Sequence, residues 1–256
     1  MLPILLLLAA SDWTSWGGDP GGTKYSPLKQ IDRTNVRQLR PIWEFDAGDF
    51  SDGKRLPVTS AFEATPLVVD GVMYVATPFH RLFALNPETG KILWQFDPKF
   101  DTATRVTLYQ SRGVSYWKNG KAILMADQQA RLFSLDARTG KLNWTIDLKR
   151  GFVEDFPGSS YGLTSPPAVC GDTVITGAWV SDSEPQGPSG DVRGFDLRTG
   201  RLKWRFHTVP RPGEFGNDTW AGDSWRDRGG ANQHGRSRKH QHLLPHLTVL
   251  QFKEKL

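Results

Sequence analysis

Residues Leu82–Trp94 read LFALNPETGKILW, and the pattern returns at Leu132–Trp144 as LFSLDARTGKLNW and at Arg193–Trp204 as RGFDLRTGRLKW. Each copy has an apolar run, an Asn or Asp, a Thr-Gly pair, and a Trp four residues past the Gly. Successive tryptophans at 94, 144 and 204 are 50 and 60 residues apart, and a weaker copy ends at Trp43, 51 residues before Trp94. Self-similarity at this period predicts an array of stacked supersecondary units. The apolar runs are too short for helices, and glycines 90, 140 and 200 suit the positive φ of a tight hairpin turn. The tryptophan of each unit is expected to fill the wedge between neighbours.

Each unit also holds an earlier pair of β-rich runs. These are centred on Asp70-Gly71 in 64–77, on Asn119-Gly120 in 113–127 and on Gly171-Asp172 in 166–178. Four short strands per roughly 50-residue unit, with turn-forming residues between them and no helical period, predict an all-β fold. The specific expectation is a β-propeller, present as an array of about four four-stranded blades. The 256 residues, with 26 Gly and 17 Pro, suit a turn-rich protein with a sizeable core. The single Cys170 excludes an internal disulfide and, in an apolar run, reads as a buried small side chain.

The two ends differ from the rest. Leu2–Leu8 is apolar and is followed by Ala-Ala-Ser, as in the core and cleavage site of a secretory signal. It is too short to span a bilayer. Residues 1–11 are therefore expected to be the remnant of a signal peptide, which implies export to the periplasm or out of the cell. Residues 233–256 hold four of the six histidines and five Lys/Arg against one acid, without any repeat pattern. With that segment set aside the net charge falls from +5 to +1, so the basic balance does not point to nucleic acid as a partner. His234, His240, His242 and His246 lack acids or cysteines that would complete a metal site. The segment is expected to be a frameshifted or fused non-native end, irregular in structure.

Between these ends, five stretches follow one another in an order that resembles the quinoprotein dehydrogenases using pyrroloquinoline quinone (PQQ). They are 12–49 (DWTSWGGDPGGTKYSPLKQIDRTNVRQLRPIWEFDAGD), 62–78 (FEATPLVVDGVMYVATP), 111–117 (SRGVSYW), 163–169 (LTSPPAV) and 216–232 (GNDTWAGDSWRDRGGAN). The resemblance covers about residues 12–232. RGVSYW and RLFALNPETGK are most similar to the sugar- and polyol-oxidising, glucose-type branch.

The resemblance implies an eight-bladed propeller with PQQ and Ca²⁺ at its axis. PQQ is an ortho-quinone with three carboxylates, so its pocket needs cations and hydroxyl or amide donors, and Ca²⁺ takes carboxylate and carbonyl oxygens. By the resemblance, Glu63 contacts PQQ, Arg112 lies beside the quinone oxygens, and Thr164 donates to a PQQ carboxylate. Asp182 falls at an acidic Ca²⁺ ligand, with Ser183 a weaker neighbour. The adjacent cysteines that alcohol-type members often carry shortly before the arginine are absent, since Tyr109-Gln110-Ser111 stands there, which favours the sugar-type branch. The family's catalytic aspartate, a further Ca²⁺ ligand and the tryptophan under PQQ have no match here. Asp218, Asp223 and Asp227 are not assigned to that role, so no catalytic residue is named, and little activity is expected of this chain alone. The implied partners are a sugar, polyol or alcohol substrate and a quinone or cytochrome electron acceptor, with possible membrane association. The competing expectation is a non-enzymatic envelope propeller, a scaffold or binding module. Such a protein shares the blades but needs no Glu63, Arg112 and Thr164 constellation.

Overall fold

The computed structural model describes residues 12–19, 21–151, 160–180 and 187–226. The expected signal remnant (1–11) and basic segment (233–256) lie outside them. Among the described residues the regular structure is all strand, apart from two single turns of 3-10 helix at Val36–Gln38 and Asn217–Thr219.

Twelve of the strands form three four-stranded antiparallel sheets, each in sequential order. The first contains β2 (Leu67–Val69), β3 (Val72–Ala76), β4 (Leu82–Leu85) and β5 (Ile92–Phe96). The second contains β7 (Ser115–Trp117), β8 (Ala122–Ala126), β9 (Arg131–Asp136) and β10 (Leu142–Asp147). The third contains β12 (Ala168–Cys170), β13 (Thr173–Thr176), β15 (Val192–Asp196) and β16 (Leu202–Phe206). Two short pairings link them: β1 (Ser60–Thr65) runs parallel to β6 (Tyr109–Gly113), and β11 (Tyr161–Gly162) is antiparallel to β14 (Trp179–Val180). Each sheet is one copy of the repeat, as the sequence period requires.

The repeated hairpin turn is built the same way three times. The side chain of Asn86, Asp136 or Asp196 accepts from the backbone N–H and the hydroxyl of the Thr three residues later. The glycine N–H then donates back to the Asn or Asp carbonyl, at 2.8–2.9 Å. Glycines 90, 140 and 200 have φ of 68°, 71° and 71°, which explains why glycine recurs at this position.

These turns receive the tryptophans of the preceding copies. The indole N–H of Trp43 donates to the Pro87 carbonyl, that of Trp94 to Ala137 and that of Trp144 to Leu197, each at 3.0 Å. A Cβ on Gly90 would lie 2.7 Å from the Trp43 ring, and one on Gly140 would lie 2.5 Å from Trp94. Each indole thus lies flat on the next unit's turn, filling the wedge between sheets. The copy ending at Trp43 forms no strand, yet its indole docks as the others do. Trp204 packs over Gly194 of its own sheet, and Leu202 and Phe206 beside it are exposed.

The core lies in the seams between sheets. One cluster joins the first and second sheets through Leu67, Tyr74, Ala84, Ile123, Met125 and Leu135. Another joins the second and third through Leu124, Leu132, Leu148, Tyr161, Val174 and Phe195. Cys170 departs from expectation. It is the last residue of β12, just before the Gly171 turn, and it is exposed, because the strand ends there.

Two charged arginines are held at strand starts. Arg81 pairs with the nearly buried Asp49, and Arg131 with the fully buried Asp127 at 2.6 Å. His80 is also fully buried, between Gln128 and the Phe100 ring. Burial pushes its imidazole below the ordinary value of 6.5, against the upward pull of the Asp127 carboxylate; Arg131 adds to the lowering. The unfolded chain therefore takes up a proton that the folded chain refuses. Stability from this group is complete above about pH 6.5 and is lost as pH falls toward the folded value. Urea midpoints measured from pH 7.5 to 5.5 will fall more steeply for the wild type than for His80→Gln. Parallel profiles would show that His80 is not responsible.

Candidate functional site

Three of the residues singled out in the sequence meet at one place. Glu63 lies on β1, Arg112 on β6, and Thr164 two residues past β11. In the parallel β1–β6 pair, Phe62 is opposite Ser111 and Thr65 is opposite Gly113, so two residues of β1 face the single Arg112. Such a bulge re-aims side chains. Glu63 Oε2 comes to 3.4 Å from Arg112 Nε. On its other flank, Arg112 donates from Nη1 to Thr164 Oγ1 at 2.6 Å, and its backbone N–H donates to the Thr164 carbonyl at 2.8 Å.

Gly113 makes this crowding possible. Its φ is 123°, and a Cβ there would sit 3.1 Å from the Thr65 carbonyl and 3.8 Å from Pro166. A side chain would be strained at this φ and would crowd the Thr65 carbonyl of β1, while meeting Pro166 only in ordinary contact. The sequence pattern marked Arg112 but not this requirement. A glycine directly after a candidate site arginine was the available signal.

The Arg112 side chain is 46% exposed and that of Glu63 is 40% exposed. The site therefore presents a guanidinium, a hydroxyl and a carboxylate to a ligand without first being unpacked. A planar guanidinium flanked by a hydroxyl donor suits an anionic, oxygen-rich, flat molecule. Glu63 pairs with the guanidinium through one carboxylate oxygen and leaves the second for a donor group of a ligand.

Asp182 and Ser183 lie outside the described residues. Among the described residues, no group of three or more His, Cys, Asp or Glu side chains is placed to hold a metal ion. No helix there is long and apolar enough to cross a membrane.

A propeller-type array with an arginine-centred polar site defines a class, and comparison with known proteins supplies the family. Residues 13–236 match the family described as "PQQ: Glucose/ethanol/alcohol dehydrogenase, beta-propeller domain". The chain belongs to this PQQ dehydrogenase family.

Quinoprotein glucose dehydrogenase A of Acinetobacter calcoaceticus is 32% identical over 228 residues, covering 78% of this chain and 28% of that protein. Methanol dehydrogenase [cytochrome c] subunit 1 of Paracoccus denitrificans is 32% identical over 250 residues, covering 87% of this chain and 37% of that protein. The solved quinohemoprotein alcohol dehydrogenase ADHIIG of Pseudomonas putida HK5 superposes with a TM-score of 0.69 at 32% identity, covering 87% of this chain and 32% of its own. The chain thus spans about a third of the length of these relatives. Glucose dehydrogenases among the relatives are 32–33% identical and alcohol dehydrogenases 32–36% identical, so identity does not single out the sugar-type branch.

Proposed function

We propose that Glu63, Arg112 and Thr164 bind PQQ, and that the protein serves the oxidation of a sugar, polyol or alcohol in an exported, periplasmic setting. The observation that carries this reading is the convergence of the three residues from separate units on one exposed guanidinium. The donor set fits the group. Arg112 and Thr164 supply positive charge and a hydroxyl for carboxylate and quinone oxygens, and Glu63 pairs with the guanidinium. When bound, PQQ supplies a two-electron acceptor for the hydride of the substrate's C–H bond, as cofactors carry chemistry that side chains cannot.

The chain's own contribution is binding and orientation. Arg112 would hold anionic oxygens of the ligand through its guanidinium, and Thr164 would add a hydroxyl donor beside it. Asp182 is proposed as a Ca²⁺ ligand on the basis of the family resemblance. The lack of a cysteine pair in Tyr109-Gln110-Ser111 supports a sugar or polyol as substrate. Electrons would then pass to a quinone or a cytochrome.

The test is titration of the purified chain with PQQ, with and without Ca²⁺, followed by tryptophan fluorescence. Saturable quenching is expected, strengthened by Ca²⁺. No saturable change in either condition would overturn the reading.

A further inference from the structure

The site residues sit on strand ends that something must hold at the right spacing. The turn Asp127–Ala130, between β8 and β9, touches both of them. Its Gln128 side chain is 5% exposed. The amide Nε2 donates to the Leu108 carbonyl at 2.9 Å, and Oε1 accepts from the Gln110 N–H at 3.2 Å. Those two backbone groups flank Tyr109, the first residue of β6, so the primary amide pairs with the strand as a peptide of a neighbouring strand would. Arg112 is two residues past Gln110.

On the other side, the Asp127 carbonyl accepts from the Leu163 N–H at 3.0 Å, one residue before Thr164. Gly162 lies so close that a Cβ there would be 2.4 Å from the Gln128 carbonyl oxygen. The turn itself is fixed by Asp127, whose carboxylate accepts from the Gln129 and Arg131 N–H groups and pairs with the Arg131 guanidinium. From the first sheet, His80 Nε2 reaches Gln128 Oε1 at 3.2 Å and the Gln128 backbone nitrogen at 3.4 Å. One turn of the second sheet is therefore bonded to the strand carrying Arg112, to the segment carrying Thr164 and to the neighbouring sheet.

We propose that Gln128, buttressed by His80, is a positioning residue that sets the Arg112–Thr164 spacing for an anionic ligand. The proposal rests on the binding role given above to Arg112 and Thr164. Gln128 touches neither residue's side chain, and it acts through the backbone of β6 and of residues 162–163. Loss of its amide leaves the Leu108 carbonyl and the Gln110 N–H without these partners, which loosens the start of β6 on the side facing Thr164.

The test reads the spacing without any ligand. Amide hydrogen exchange is followed in the full chain, wild type and Gln128→Met, which keeps the side chain's length but not its hydrogen bonds. The Arg112 N–H, bonded to the Thr164 carbonyl, is expected to exchange about tenfold faster, the equivalent of one buried hydrogen bond. Amides of the β3–β4 ladder should stay within about twofold by the same local-opening argument. An unchanged Arg112 amide, or equal acceleration at all amides, would overturn the proposal.

Gln128→Asn keeps the polarity but is too short to reach both Leu108 and Gln110. It should give the same local acceleration if Gln128→Met does not fold. PQQ titration separates the two readings. A wild type that fails to bind defeats the cofactor assignment and leaves the exchange result to decide the positioning role. A wild type that binds, with Gln128→Met equal to it in affinity, defeats the positioning role alone.

Discussion

Trp94→Ala will lower the stability of the chain by about 3 kcal/mol, at the lower end for removal of a packed aromatic side chain. The indole lies on the Gly140 turn of the next unit, where a Cβ would already be 2.5 Å from its ring. It also packs against Tyr74, with ring centroids 5.8 Å apart, in the core seam between the first and second sheets. Its N–H donates to the Ala137 carbonyl at 3.0 Å, but the Tyr74 hydroxyl donates to the same oxygen at 3.0 Å. That carbonyl stays satisfied after the substitution, so most of the cost is the cavity and the lost contacts. Trp94→Phe should recover a large part of the loss. Equilibrium urea unfolding followed by far-UV circular dichroism measures both. A change under about 1 kcal/mol for Trp94→Ala, below the range for packed aromatic deletions, would show that the wedge is not what holds the sheets together.

Arg112→Ala will weaken PQQ binding by roughly 10- to 100-fold, the loss expected for charge-assisted hydrogen bonds. Arg112→Lys should restore only a minor part, because a single ammonium cannot reproduce a planar fork that spans Glu63 on one side and Thr164 on the other. Thr164→Ala should cost less, about tenfold at most, since it removes one neutral donor. Fluorescence titration gives the dissociation constants, and urea midpoints show whether folding changed. Arg112 is nearly half exposed, so its removal should leave the midpoint close to the wild-type value. If Arg112→Ala binds PQQ as tightly as the wild type, the cofactor lies elsewhere.

The period of the tryptophans and the Thr-Gly turns determined the sheets, because both features are local. A glycine at positive φ, an Asn or Asp that caps the turn, and alternation on either side can be read within one copy. The docking of Trp43, Trp94 and Trp144 on the next copy's turn ties successive copies together at the spacing the sequence shows. The sequence could not show that the unit ending at Trp43 would dock without forming a strand. It also could not show that Cys170, directly before the Gly171-Asp172 turn, would face solvent, since both depend on where pairing and packing stop.

Glu63, Arg112 and Thr164 could be picked out as residues by family resemblance, but their meeting is a tertiary fact. It depends on a parallel pairing between β1 and β6, which are 49 residues apart at Ser60 and Tyr109, on a one-residue bulge and on the unsubstituted Cα of Gly113. The bracing role of Gln128 had no motif to announce it. A polar residue in a turn is ordinarily solvated. Only the packing of neighbouring sheets buries this one and turns its amide toward the backbone of β6, where an unpaired strand edge needs both a donor and an acceptor.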